Sequence, residues 1–274
     1  MTAATVAPEP ARRAATGGEV LSQVAELARR SVMRTARQPA SIVPAMIFPL
    51  ALMAVNVGGL DAATELPGFP TDSYLDFFIA TAFIQSALFA MMNAGTDLAR
   101  DVQTGFVSRL ALTPMRGVAL LVGQLAGVMA LSAFTALLFL VVGLMAGISI
   151  QAGALGALAI LAFATLVALA FGALGAMLGL RTGSGEAVQG FFPLFFVLLF
   201  LSSMALPRPL IEQDWFRTIA TYNPVSYLLE AIRSLVITGW DAEALALGVG
   251  IAGTGAVLAM AGASKALRQR LTRT

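Results

Sequence analysis

The sequence contains no cysteine and no histidine, and its one lysine is Lys265. These absences remove structural disulfides, thiolate and imidazole metal sites, Cys–His and Ser–His nucleophile systems and histidine proton relays. Lys265 is not preceded by a GxxxxGK phosphate-binding loop, so the chain cannot hydrolyse ATP by that chemistry. Charge is scarce as well. Only 12% of the 274 residues are charged, 58% are hydrophobic, and the mean hydropathy of +0.84 lies far above what a soluble domain keeps in solution. The composition specifies a polytopic membrane protein. The pI near 9.5 does not point to nucleic acid, because the arginines flank apolar runs, where cytoplasmic-side positive charge belongs.

What is present is a succession of helical patterns, which makes the expected fold class an all-α polytopic membrane protein. Residues 1–18, rich in Ala, Pro, Thr and Gly and without a signal-peptide core, read as a disordered cytoplasmic tail. Over 19–39, Val20, Val24, Leu27 and Val32 recur at helical spacing opposite Arg29, Arg30, Arg34 and Arg37 and end at Pro39. That segment predicts an amphipathic interfacial helix on the inner membrane surface. Residues 40–264 predict a six-span transmembrane domain, and 265–274 a basic cytoplasmic tail. The spans follow from uncharged runs of the ~20 residues that cross a hydrocarbon core: Ile42–Leu60, Phe77–Thr96, two within the charge-free stretch between Arg116 and Arg181, about Ala187–Leu206, and about Ala244–Gly262. Dividing the charge-free stretch into three would move Arg181 and the basic C-terminal segment outside and bring Arg208, Arg217 and Arg233 in. Six spans with both termini cytoplasmic obey the positive-inside rule better. Rows of small residues in the fourth span (Ala164, Ala168, Gly172, Ala176) and the sixth (Gly248, Ala252, Ala256) report close helix packing.

No predicted span holds Asp, Glu, Lys, Arg or His in its interior, which argues against a proton-coupled carrier. A protein that moves solute uphill without its own ATP site needs energy from a separate subunit and a cytoplasmic loop to receive it. The segment RDVQTGFVSRLALTPMRG, Arg100–Gly117, lies in that position after the second span. Val102, Phe106 and Leu110 predict one apolar ridge of a short helix closed by Thr113–Pro114, suited either to a partner or to the membrane surface.

These residues resemble the membrane subunits of type-2 ABC permeases, a family of bacterial drug-resistance and lipid or polysaccharide exporters. The resemblance rests on Asp101, Gly105, Arg109–Leu110 and Thr113–Pro114 after the second span, on FFPLFFVLLFLSSMALP (191–207), and on WFRTIATYNPVSYLLEAIRSLVITG (215–239). The sequence departs from the family in carrying Asp101 where many members have Glu, and Gly123–Gln124 where many have Gly–Lys. The resemblance implies a dimer, of two copies or of one copy and a homologous permease, around a central pathway in a bacterial cell membrane. It also implies two copies of a cytoplasmic ATPase subunit, which hold the ATP and magnesium, so that this chain carries no cofactor. On that reading Asp101, Val102, Gly105, Phe106, Arg109, Leu110, Thr113 and Pro114 form the ATPase-coupling helix, with Asp101 and Arg109 setting its orientation.

Asn223 can cap a helix whose first residue is Pro224, with Tyr227, Leu228, Ala231, Ile232 and Leu235 on a broad apolar face and Glu230 able to pair with Arg233. This predicts a re-entrant helix before the last span. Thr81, Gln85, Met92 and Thr96 on the second span and Phe192, Phe195 and Phe196 on the fifth are the candidate pathway lining, suited to hydrophobic or amphipathic drugs or lipids. The expected function is transport, not catalysis. Of the rivals, an ion-gradient-driven carrier or channel needs no ATPase, and an intramembrane enzyme built on Ser184 lacks an evident base.

Overall fold

In a bilayer an uncharged run can satisfy its backbone only as a helix or a closed barrel. In the computed structural model, which describes residues 17–111 and 117–271, each long apolar run is a helix, and no strand occurs among the described residues. After an N-terminal helix α1 (Gly17–Ala36) come α2 (Pro39–Leu60), α3 (Tyr74–Gln103), a short α4 (Phe106–Ala111), α5 (Gly117–Met145), α6 (Gly153–Thr182) and α7 (Gly185–Phe200). A compact pair, α8 (Asp214–Tyr222) and α9 (Pro224–Arg233), precedes α10 (Ala242–Leu271). Five of these, α2, α3, α5, α6 and α10, are long and apolar enough to cross a membrane, and the shorter α7 is apolar from Gly190 onward. The all-α polytopic fold is therefore as the sequence reads.

α7 differs from expectation. It stops at Phe200, short of Leu206, because the next carbonyls and amides bond elsewhere: Ser203 N–H donates to Ser226 Oγ at 3.0 Å, and the Ser203 and Met204 carbonyls accept from Arg233. At the other end of the chain, α10 continues to Leu271, so Lys265, Arg268 and Arg270 belong to a helix, and Arg270 Nε donates to the Leu180 carbonyl at the end of α6. α1 starts at Gly17, inside the predicted tail; residues 1–16 lie outside the described residues.

α3 is the axis of the bundle. It packs against α2, α5, α6, α7 and α9, and Phe77, Phe78, Phe83, Ile84 and Leu88 are all sealed from solvent. Its contact with α6 is possible only for small residues. A Cβ on Gly175 would lie 1.9 Å from the Met91 carbonyl oxygen, and one on Gly179 2.2 Å from that of Gly95. Such close backbone approach lets two helices gain dispersion contacts that lipid chains cannot match. In α10, Gly248 packs on Ala231 and Ala252 is 2% exposed, so both small-residue rows serve packing.

Candidate functional site

At the end of the bundle that carries α4, an acidic pair meets a basic helix. Asp97 and Asp101 lie one turn apart on the last turns of α3, and Asp101 is only 4% exposed. Two carboxylates on one buried helix face need a cation. Arg34 of α1 supplies it: its Nη1 donates to Asp101 Oδ1 at 3.0 Å, and its Nη2 donates to Asp97 Oδ1 at 2.7 Å. Gln124 of α5 donates its amide to the other oxygen of Asp101. Arg30 stands 3.9 Å from Asp101, and its guanidinium lies over the Phe106 ring at 3.9 Å. The N-terminal helix is thus fastened to α3, α4 and α5 at one node.

α1 reaches that node because α5 lets it approach. Gly123 and Gly127 face Leu27 and Ser31, whose atoms lie 2.3 Å from where a Cβ would be, and Ser31 Oγ donates to the Gln124 carbonyl at 2.7 Å. The helix therefore packs on the bundle through Leu27, Ser31 and Arg34, while Val32 and Met33 are exposed.

The predicted coupling residues do not share one helix. α3 ends at Gln103, and Gly105, at φ +68°, turns the chain before α4 begins at Phe106. Only glycine takes that φ readily. Val102 and Phe106 fall on either side of the bend, half-buried and packed against the core, so they form no open ridge. Asp101, expected to set the orientation of the coupling helix, is engaged by Arg34 and Gln124 inside the chain. Arg109 is exposed on α4, and Leu110 belongs to the same helix. Thr113 and Pro114 lie outside the described residues.

At the opposite end, α8 and α9 form a hairpin with Asn223 at its tip. Asn223 Oδ1 caps α9 by accepting from Val225 N–H at 2.9 Å, while its Nδ2 donates to the Leu198 carbonyl of α7 at 2.6 Å. α9 runs antiparallel to α10. Ala231 touches Gly248, whereas Pro224 and Val225 share a groove with residues 251–259, about one to three turns farther along α10. The tip is therefore sunk between the long helices.

The expected Glu230–Arg233 pair is not made. Arg233, 6% exposed, points inward, where its Nε donates to the Phe77 carbonyl at 2.9 Å and its Nη1 and Nη2 to those of Ser203 and Met204 at 2.7 and 2.8 Å. Its guanidinium also lies over the Phe77 ring at 3.5 Å. Glu230 instead accepts two hydrogen bonds from Arg208, which stacks over Tyr227 at 4.5 Å. Burial pulls the Arg208 pKa down, but the bonds and charge of Glu230 outweigh it and the guanidinium holds its proton more firmly than usual. Tyr227 donates its hydroxyl to the Thr221 carbonyl, tying α9 to α8.

The candidate lining residues do not lie together on one surface. Thr81 and Gln85 are fully buried inside the bundle and line no open surface, which removes them from a pathway in this conformation. Met92 and Thr96 border a cleft of about 270 Å³ with Pro44, Arg100 and Gln189. Phe192 and Phe196 are half-buried in a ladder of edge and tilted ring contacts that joins α2, α3 and α7 through Phe48, Phe89 and Phe200. Phe195 instead meets Phe171 of α6. No cluster of three or more acidic side chains able to hold a metal occurs among the described residues. Sequence reasoning missed Arg34, Gln124 and Arg208. The one available signal was Asp97 and Asp101 at i, i+4 beside an arginine-rich helix.

Residues 22–237 match the family model described as ABC-2 type transporter. Over 231 residues the chain is 26% identical to a putative transport permease, ycf38, of Porphyra purpurea, an alignment covering 81% of this chain and 77% of that protein. It is likewise 26% identical over 215 residues to the daunorubicin resistance ABC transporter permease protein DrrB1 of Streptomyces coeruleorubidus, covering 76% and 72% of the two.

Proposed function

Because the chain belongs to the ABC-2 type transporter family, we propose that it is the membrane-spanning half of an exporter driven by a separate ATPase. A hydrophobic or amphipathic drug or lipid is the proposed cargo. Two ATPase subunits would bind at the α4 end, and two copies of this chain, or one copy and a homologous permease, would form the pathway. We assign the α4 end to the cytoplasm and the α8–α9 hairpin to the outer side of a bacterial cell membrane, with α2, α3, α5, α6, α7 and α10 as six spans and both termini inside. The lysine and arginine distribution favours that orientation.

The observation that carries the reading is the node at α4. A push on the exposed face that bears Arg109 meets a short helix joined to α3 through a single glycine bend and held by Arg30 through Phe106. Arg34 and Gln124 then link the same corner to α1 and α5. A rigid displacement of α4 therefore reaches three helices at once. Val102 and Phe106 anchor α4 to the bundle on this reading, and the partner takes its outer face. The aromatic ladder of α2, α3 and α7, with apolar side chains such as Phe191, Leu194 and Val197 exposed beside it, is the surface best suited to line an apolar route between two copies.

The test is co-expression with the ATPase encoded beside the gene, capture through a tag on this chain, and ATP hydrolysis in lipid. Arg109→Glu is expected to lose the partner and its stimulated hydrolysis while the permease remains folded. Phe106→Ala is expected to keep the partner and lose the stimulation of hydrolysis by cargo. Capture and hydrolysis unchanged in Arg109→Glu would refute docking at α4, and transport driven by an ion gradient alone would refute the ATP-driven reading.

A further inference from the structure

We propose that the groove between α6, α9 and α10 is a binding site for one acyl chain of a bilayer phospholipid, held against the tip of the α8–α9 hairpin. The groove has a volume of about 350 Å³ and is walled by apolar side chains, among them Phe171 and Leu174 of α6, Val225 and Leu228 of α9, and Ile251 of α10. Its size and apolar lining are those of a ligand pocket. With no polar side chain in its wall, it favours an apolar ligand. The volume corresponds to about a dozen groups of water or methylene size at ~30 Å³ each, which is one chain and not a second helix.

The space is created by an absent side chain. A Cβ at Gly255 would meet only the Ala170 Cβ at 3.9 Å, so this glycine leaves room where Gly175 and Gly179 serve close backbone contact. The depth of the groove identifies the occupant. Trp240, 59% exposed two residues before α10, stands at the level expected of an interfacial aromatic anchor. Gly255 is thirteen residues into α10 from Ala242, about 20 Å farther in at 1.5 Å per residue. That is well inside a ~30 Å hydrocarbon core. Val257 and Leu258, 69% and 67% exposed, lie on the outer surface of α10 beside the groove, so it opens towards lipid. A void at that depth forfeits dispersion contacts along three helices, and a flexible chain from the surrounding medium restores them. The inference rests on α6 and α10 spanning the membrane and is independent of the ATPase and the cargo.

The test places the full chain in phosphatidylcholine nanodiscs containing a phosphatidylcholine with a photoactivatable diazirine in the middle of one acyl chain, and maps adducts by peptide mass spectrometry. Adducts on residues 167–177 and 251–259 are expected to exceed, several-fold, those around Leu137 and Val141, which are exposed on α5. Gly255→Leu should abolish that excess and Gly255→Ala, a change with room for its methyl, should reduce it. Gly250→Leu, on the same helix where a Cβ meets nothing within 4 Å, should leave it intact. Labelling equal to that of α5, or unchanged in Gly255→Leu, would show ordinary boundary lipid and overturn the proposal. Absence of adducts together with a disulfide between copies of Gly255→Cys would overturn it in favour of a covering protomer.

Discussion

Replacing Arg34 by methionine is the most informative single perturbation of the α4 node. Methionine keeps much of the length of the stem but removes the guanidinium that donates to Asp101 at 3.0 Å and Asp97 at 2.7 Å. The side chains of Arg34, Asp101 and Asp97 are 17%, 6% and 27% exposed, so none is screened as a surface ion pair would be. Removing one member of a buried pair costs roughly 3–5 kcal/mol, chiefly because the other charge is left unpaired. Arg30, 3.9 Å from Asp101, and the Gln124 amide remain as partial substitutes, which places the loss near the lower bound, about 3 kcal/mol. At roughly 2–4 °C per kcal/mol for a chain of this size, the melting temperature should fall by about 6–12 °C. The assay is thermal unfolding of the purified chain in detergent, followed by size-exclusion fluorescence. Arg34→Met combined with Asp101→Asn should lose less than the two single losses added together, because one of the two carboxylates that Arg34 leaves stranded has gone. A fall corresponding to less than about 1 kcal/mol, the range of an exposed pair, or strict additivity in the double variant, would refute the lock.

Three further changes test the hairpin and the helix packing. Asn223→Ala removes both the cap on α9 and the bond to Leu198, and should cost about 1–2 kcal/mol by the same thermal assay. Arg233→Met strands the carbonyls of Phe77, Ser203 and Met204 in the interior. At about 1–3 kcal/mol for each unsatisfied group, little folded protein should accumulate, and Arg233→Lys should recover part of the yield measured by size exclusion. Gly175→Ala forces a methyl to within 1.9 Å of the Met91 carbonyl oxygen and should cost about 1–3 kcal/mol as α3 and α6 separate. An unchanged melting temperature would contradict the close approach of these helices.

The sequence by itself determined the class and the main elements. Its uncharged runs, its lack of histidine and cysteine and its motif order require helices in a bilayer and point to a type-2 ABC permease, since backbone satisfaction in lipid leaves no local alternative. It also determined the α9 start, because an Asn–Pro cap is a local device whose donor, acceptor and fixed φ lie within three residues. The partners of its charges were a different matter. Arg233 had Glu230 three residues away, yet the tertiary structure gave it the Ser203 and Met204 carbonyls freed where α7 ends early together with the Phe77 carbonyl of α3, and gave Glu230 to Arg208. Val102, Phe106 and Leu110 carried a helical period, but Gly105 broke the helix and α1 covered Phe106. Thr81 and Gln85 looked like a polar lining and became core, because α3 is surrounded on every side. Periodicity specifies which residues share a helix face. Only the packing of helices distant in sequence decides what that face meets, and in this chain it decided which groups Arg34, Arg208 and Arg233 bond.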